Sequence, residues 1–239
     1  MKKVVIGKAT LYLGDCRDGM VKMPDKSFSL AIVDPPYGRN EDGGTNRCHG
    51  VKQKNGAVLK CLDGGYKKKY WDKKPPSPEY FTELQRVSQH QIIWGANYYQ
   101  VALPGGRIIW DKVNDGTDQS GAEIAYNSLN QRVDIVRYMW RGMMQGVSVR
   151  QGTIQQGNKA LNEKRIHPTQ KPVKLYGYLL DTYAKVGDKI IDTHFGSGSL
   201  VIACLERGFE IEAYEIDPEY FDMACQRIEQ SQSQMRLAL

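Results

Sequence analysis

A chain of 239 residues has room for one substantial core, or a core with a small appendage. Its 41% hydrophobic and 25% charged residues are those of a folded globular protein, and no apolar run approaches the ~20 residues that a membrane-crossing helix requires. The opening MKKVVIGKAT lacks the apolar centre of a secretory signal, and the five cysteines contain no C-x-x-C pair, so the chain reads as cytoplasmic with reduced thiols.

In chain order, KVVIGKATLYL predicts two short strands around a turn at Gly7, followed by a short helix after Gly14-Asp15. Leu30-Ala31-Ile32-Val33 has the unbroken apolar character of a strand buried on both faces, and Asp34-Pro35-Pro36 ends it. SPEYFTELQRVSQ predicts a helix from Ser77-Pro78. QIIWG then reads as a strand, NYYQVAL as a short helix, GRIIWDK as a strand, GAEIAYNSL as a helix and VDIVRYMW as a strand. From about residue 141 to 165 the pattern is loop-like. PVKLYGYLLDTYA predicts an amphipathic helix after Pro172. The end is clearest: strand KIIDTHF, glycine turn GSGS, helix LVIACLERG, strand EIEAYEID, a helix from Pro218 and a frayed tail QSQSQMRLAL. Alternating strands and helices predict a doubly wound α/β fold with a mixed, mostly parallel sheet and one domain over 1–239.

The net charge is +6, and the window 38–79 holds ten Lys or Arg against five Asp or Glu, with seven of the 24 glycines. Such a composition predicts a basic, flexible insertion. A solvated linker would look similar, but YKKKYWDKK interleaves lysines with aromatic rings, which suits a phosphate-rich strand. Nucleic acid is therefore the expected partner. Cys48, His49 and Cys61 in this window fit zinc spacings poorly, and no metal is expected.

Two features point to chemistry. The first is the acid, two prolines and aromatic ring at Asp34 to Tyr37, placed at a strand's carboxyl end, where open α/β sheets bind ligands. The second is DTHFGSGS, Asp192 to Ser199, where Gly196 and Gly198 let backbone approach a ligand at a helix N-terminus. A phosphate loop would need Lys and Ser or Thr after the second glycine, and a dinucleotide turn would need a third glycine where Val201 stands. S-adenosylmethionine fits better: Asp192 can take its ammonium group, and Glu215, at the tip of the next strand, can accept from both ribose hydroxyls. A plain strand-ending turn and a plain βα turn are the alternatives to these two readings.

Together the motifs resemble those of the N4/N6 amino-methyltransferase family of DNA methylases. Asp34-Pro35-Pro36-Tyr37 is similar to its catalytic motif, DTHFGSGS to its glycine motif, YEID to its ribose-binding acid and HPTQKPVKL, His167 to Leu175, to the segment that completes the cofactor site. LGDC, IIWGANYY and GAEIAYNS resemble further elements of the family core. The catalytic tetrapeptide precedes the glycine turn, which is the permuted order of the family's β group. Thr193-His194 departs from the family's usual Pro-Phe, and His194 is expected to be a packed loop residue.

The resemblance implies a Rossmann-like fold, S-adenosylmethionine as cofactor and DNA as substrate. It implies cofactor contacts from Asp15, Cys16, His167, Thr169, Lys171, Phe195, Ser197 and Ile216 beside Asp192, Gly196, Gly198 and Glu215. An aspartate at the first motif position goes mostly with adenine N6 in this family, and serine mostly with cytosine N4. N4-cytosine transfer, or a nucleic-acid-binding module without turnover, are the alternatives. An exocyclic nitrogen is a poor nucleophile, so acceptors are needed on its two hydrogens: the Asp34 carboxylate, and the Pro35 carbonyl if the stiff turn points it outward. Tyr37 would stack on the flipped base. Arg39, Lys67, Lys68, Lys69 and Arg150 are the candidate DNA contacts, and 141–165 is the candidate recognition region. So small a chain leaves a homodimer open as a means of embracing a duplex.

Overall fold

The computed structural model describes residues 1–43, 51–52, 58–59, 66–115, 120–141 and 144–237. Among these, nine strands form one sheet in the order β1-β2-β13-β12-β3-β6-β8-β7-β9. They are β1 (Lys2–Ile6), β2 (Ala9–Leu13), β3 (Phe28–Val33), β6 (Ser88–Trp94), β7 (Gly106–Asp111), β8 (Ala122–Asn127), β9 (Val133–Arg137), β12 (Lys189–Asp192) and β13 (Glu210–Glu215). Two small hairpins stand apart, β4 (Val51–Lys52) with β5 (Val58–Leu59), and β10 (Trp140–Arg141) with β11 (Met144–Gln145). The central run β2, β13, β12, β3 and β6 is parallel, while β8 runs antiparallel to both β6 and β7. The sheet is thus mixed and mostly parallel at its centre, as the sequence predicts.

The helices are α1 (Cys16–Met20), α2 (Pro78–Val87), α3 (Val173–Tyr183), α4 (Ser199–Glu206) and α5 (Pro218–Leu237). They cover both faces, which explains the unbroken apolar strands. Leu30, Ile32, Ile92 and Ile190 point into one core cluster with Leu179 of α3, Ala203 of α4 and Phe221 of α5. Their neighbours Ala31, Val33, Ile93 and Ile191 point into a second with Met20 of α1 and Leu84 of α2. Among the described residues, no helix is long and apolar enough to cross a membrane.

Three expectations need correction. GAEIAYNSL forms strand β8, not a helix: hydrogen bonding to β6 and β7 on its two sides overrides the helix preference of Ala and Glu. NYYQVAL forms a turn closed by Tyr98 N–H on the Gly95 carbonyl, with Tyr99 drawn into the core. The tail stays helical to Leu237. Of the 141–165 segment, the described residues 141 and 144–165 are loop with β10, β11 and a short 3-10 helix at Lys159–Leu161, and the Gln145 side chain pins them through two hydrogen bonds to the Glu163 backbone.

The charged window 38–79 divides. Residues 44–50, 53–57 and 60–65, which include Arg47, Cys48, His49, Lys54, Lys60 and Cys61, lie outside the described residues. Its two ends, 38–43 and 66–79, lie against each other. Gly38 has a φ of +72°, and a Cβ there would stand 2.6 Å from Pro75 Cδ, so only glycine allows the approach.

Candidate active site

The carboxyl ends of β2, β3, β12 and β13 meet at a cavity of about 420 Å3. Asp34 and Pro36 line one side of it. Phe195, Gly196, Ser197, Glu215 and Ile216 line the other. His167, Thr169 and Lys171 line it from the segment before α3, and Asp15 and Cys16 from the start of α1. Motifs from opposite ends of the chain therefore share one chamber.

On the catalytic side every polar group already has a protein partner. Lys171 Nζ lies 2.5 Å from Asp34 Oδ2 and 3.0 Å from Glu123 Oε2. Tyr37 donates its hydroxyl to Asp34 Oδ1 at 2.6 Å and receives a hydrogen bond from Lys171 at 3.0 Å. Glu123 also meets Lys112 at 2.5 Å. Burial pushes Asp34 up from the usual aspartate range, and the Lys171 ammonium opposes it. For Glu123 burial pushes the same way, but Lys171 and Lys112 outweigh it and hold the carboxyl down at about 2. Lys171 is held protonated: burial lowers it, and the two carboxylates more than compensate.

Three placements differ from the sequence reading. Lys171, expected at the cofactor carboxylate, sits on Asp34 and Glu123 instead. Pro35 is buried, and its carbonyl accepts from the Tyr99 hydroxyl at 2.9 Å rather than pointing outward unpaired. Tyr37 has one ring face stacked on Tyr98, with centroids 4.9 Å apart, and Arg39 lies over the same Tyr98.

The cofactor side is built differently. Asp192 ends β12 beneath the turn, 3% exposed, and accepts the His194 N–H at 3.1 Å. Burial pushes its carboxyl up to about 8. Glu215 accepts the N–H groups of Gly196 at 3.0 Å and Asp217 at 2.8 Å, and burial pushes it up to about 7. Neither acid is in an ion pair among the described residues, although the more distant Lys171 ammonium opposes burial at Asp192. Gly198, at φ +74°, caps α4 against Ile228 rather than facing the cavity. His167 lies between Trp71 and Tyr220, with its imidazole pushed down to about 3 by burial, and so is neutral. Asp15 caps α1 and binds Arg17 at 2.6 Å, and the buried Cys16 thiol is pushed up to about 12, which removes it as a nucleophile. His194 packs on Tyr80, bonds Thr193 at 2.9 Å and is held neutral by burial, at about 4.

Of the candidate DNA contacts, Arg39, Lys68 and Arg150 are exposed. Lys67 and Lys69 are ion-paired to α5: Lys67 with Glu219, and Lys69 with Asp217 and Glu219, each at 2.9 Å. Sequence reasoning missed Glu123, Lys112, Tyr99, Trp71 and Asp72. An acid at the start of the otherwise apolar β8 was the one visible signal for Glu123.

A family model described as DNA methylase matches residues 110–226. The Type II methyltransferase M.HinfI of Haemophilus influenzae is 24% identical, across 92% of this chain and 68% of that one. The Type II methyltransferase M.HpaI of Haemophilus parainfluenzae is 33% identical over 66 residues, a match that covers 28% of this chain and spans only 21% of that protein. Among solved structures, the M1.HpyAVI–SAM complex has a TM-score of 0.53 at 16% identity, covering 92% of this chain and 99% of that one. The PvuII DNA methyltransferase (cytosine-N4-specific) has a TM-score of 0.52 at 11% identity, covering 94% and 90%. These two similarities establish the fold. The matched segment carries Glu123, Lys171 and the glycine turn, and Asp34 lines the same cavity as that turn, so over residues 110–226 the chain is similar to the N4/N6 family of DNA methylases.

Proposed function

We propose that this protein transfers a methyl group from S-adenosylmethionine to the exocyclic N6 of an adenine flipped out of DNA. The observation that carries the reading is the shared cavity of Asp34 and the glycine turn. Its volume lies within the ~300–1,000 Å3 of small-molecule sites. The donor set suits the cofactor. Glu215 can accept from the ribose hydroxyls, and the buried Asp192 carboxyl lies beneath the turn, where an ammonium group would favour its ionised form. Ile216 is 57% exposed at the cavity wall, an apolar surface for an adenine ring. Trp71, also at the wall, has an indole N–H with no acceptor among the described residues, a donor left for a ligand.

The cofactor supplies an electrophilic methyl group on a sulfonium. Asp34 does the rest of the electrostatic work: each carboxylate oxygen keeps accepting capacity beyond Tyr37 and Lys171, so one can take an N6 hydrogen and favour the pyramidal nitrogen. Charge that develops on that nitrogen as the methyl arrives is stabilised by the same carboxylate, whose ionised form the Lys171 ammonium favours against burial. Tyr37 and Tyr98 form the aromatic wall beside it. Adenine is favoured over cytosine by the aspartate at the first motif position. Arg39, Lys68 and Arg150 are the exposed cations assigned to the DNA backbone.

The test is transfer of tritium from labelled S-adenosylmethionine to DNA, followed by digestion to nucleosides. Label in N6-methyldeoxyadenosine is expected. Label in N4-methyldeoxycytidine would replace the adenine assignment, and none in either would overturn the activity. Asp34→Ala should cut transfer by at least ~10^2–10^3-fold while cofactor binding persists; retained transfer would remove Asp34 from its role.

A further inference from the structure

We infer that Asp72 is the positioning residue of the catalytic turn, and that the strap from Tyr66 to Pro76 ties this turn to the cofactor end of the cavity. The inference rests on the methyltransferase reading of the site. Residues 37–41 follow β3 as irregular chain, so their backbone donors need partners from elsewhere. One carboxylate supplies them. Asp72 Oδ1 accepts the N–H groups of Tyr37 at 2.7 Å and Gly38 at 2.8 Å, and Oδ2 those of Arg39 at 3.2 Å and Glu41 at 2.7 Å. The fifth amide, that of Asn40, donates to the Asp72 carbonyl at 3.0 Å. Asp72 is 3% exposed, so water does not compete for these bonds.

The consequence reaches the chemistry through Tyr37. Its backbone is fixed by Asp72, and its hydroxyl fixes Asp34 at 2.6 Å. A shift of the turn moves that hydroxyl, and with it the carboxylate that must meet the target nitrogen. The other end of the strap is anchored at the cofactor. Lys69 binds Asp217 at 2.9 Å, and the Asp217 N–H donates to Glu215 at 2.8 Å. Between the two anchors Trp71 packs on His167, with ring centroids 5.1 Å apart, and Trp71, Lys74, Pro75 and Pro76 line the cavity. One short segment therefore binds a neighbour of each acid: Tyr37, whose hydroxyl meets Asp34, and Asp217, whose N–H meets Glu215.

Asp72→Asn tests this with almost no change in size. An amide has one acceptor oxygen, and its NH2 would face two N–H donors, so half of the contacts are lost. Turnover should fall by about 10–100-fold, as for a sub-ångström to ångström displacement of a reacting group, with the Kd for S-adenosylmethionine within about twofold of the parent. Hydrogen exchange reads the same contacts without activity: the amides of residues 37, 38, 39 and 41 should exchange faster in Asp72→Asn, with those of β3 unchanged. Lys69→Met should accelerate the same amides by a smaller factor. Unchanged turnover, or acceleration spread equally through β3 and β12, would overturn the role of Asp72. Unchanged exchange in Lys69→Met would overturn the link between the two ends. A parent protein that transfers no label would overturn the methyltransferase reading, and the exchange measurement would still decide whether Asp72 holds the turn.

Discussion

The two sides of the cavity solve opposite problems. On the catalytic side, Asp34, Glu123, Lys171, Lys112 and Tyr37 form a closed circuit in which every charge is answered by a protein group. On the cofactor side, Asp192 and Glu215 are held only by backbone N–H groups, and burial leaves both carboxyls close to neutrality in their titration. The first arrangement is preorganised before any substrate arrives. Under the proposed function, the second is completed by a ligand that brings its own positive charge and hydroxyl donors. An acceptor aimed at a short-lived transition state gains from being fixed beforehand, while a ligand site gains affinity from partners that are left wanting.

Breaking the closed circuit should have the largest effect. Lys171→Met removes the cation shared by two buried acids, at a cost of about 3–5 kcal/mol in folding stability by urea unfolding. Glu123→Gln added to it should restore part of the stability and none of the transfer. With the opposing ammonium gone, burial and the neighbouring Glu123 carboxylate raise the Asp34 pKa further, against the Tyr37 hydroxyl alone. The carboxylate then forms only at higher pH, so the acid limb of the pH–rate profile moves to the alkaline side. A Lys171→Met protein within about 1 kcal/mol of its parent would show that the circuit is a surface arrangement rather than a buried one.

The same contrast explains what could be read from the sequence. Asp34, Gly196 and Glu215 each stand at the end of an apolar strand, so their place at the sheet's carboxyl edge follows from local pattern, and the parallel centre brings the ends together. Glu123 and Lys112 act through β8 and the end of β7, whose pairing is antiparallel and long-range, and Ala122-Glu123 reads locally as helix. Asp72 is invisible for a different reason: it works on backbone amides of a distant segment, and backbone amides have no sequence signature. Tyr99 was placed in a helix that does not form, so its hydrogen bond to the Pro35 carbonyl could not be anticipated. The lysines at 67 and 69 stand out by charge and by the aromatic rings beside them, a local pattern that does not record the acids across the fold that neutralise them.

A smaller effect sharpens the ligand-dependent side. Hydroxyls that donate to Glu215 favour its ionised form, so affinity for S-adenosylmethionine is weak where the carboxyl is protonated, below its pKa of about 7, and rises with pH as the carboxylate forms. Between about pH 6 and about pH 8 the gain from this one group is about tenfold in Kd. Calorimetry across that range should show the gain in the parent. In Glu215→Gln the affinity should be lower and the slope reduced to what Asp192, pushed up to about 8, still contributes. An affinity in the parent that is independent of pH would remove Glu215 from the contact.

The smallest effect separates two readings of the basic strap. Each phosphate contact adds about 0.9 to the slope of log K against log salt concentration, so three lysines engaged with DNA predict a loss of about 2.7 when Lys67, Lys68 and Lys69 are all changed to Ala. The fold assigns two of them to α5. The Lys69 side chain is only 20% exposed and sits between Asp217 and Glu219, so it stays with those acids. The Lys67 pair is more open, and such pairs contribute about 0–1 kcal/mol, but its ammonium still faces Glu219. Only Lys68 is left to face a duplex, and the expected loss of slope is therefore about 0.9. A loss near 2.7 would mean that the α5 ion pairs open when DNA binds, and would move the strap from the cofactor side of the comparison to the substrate side.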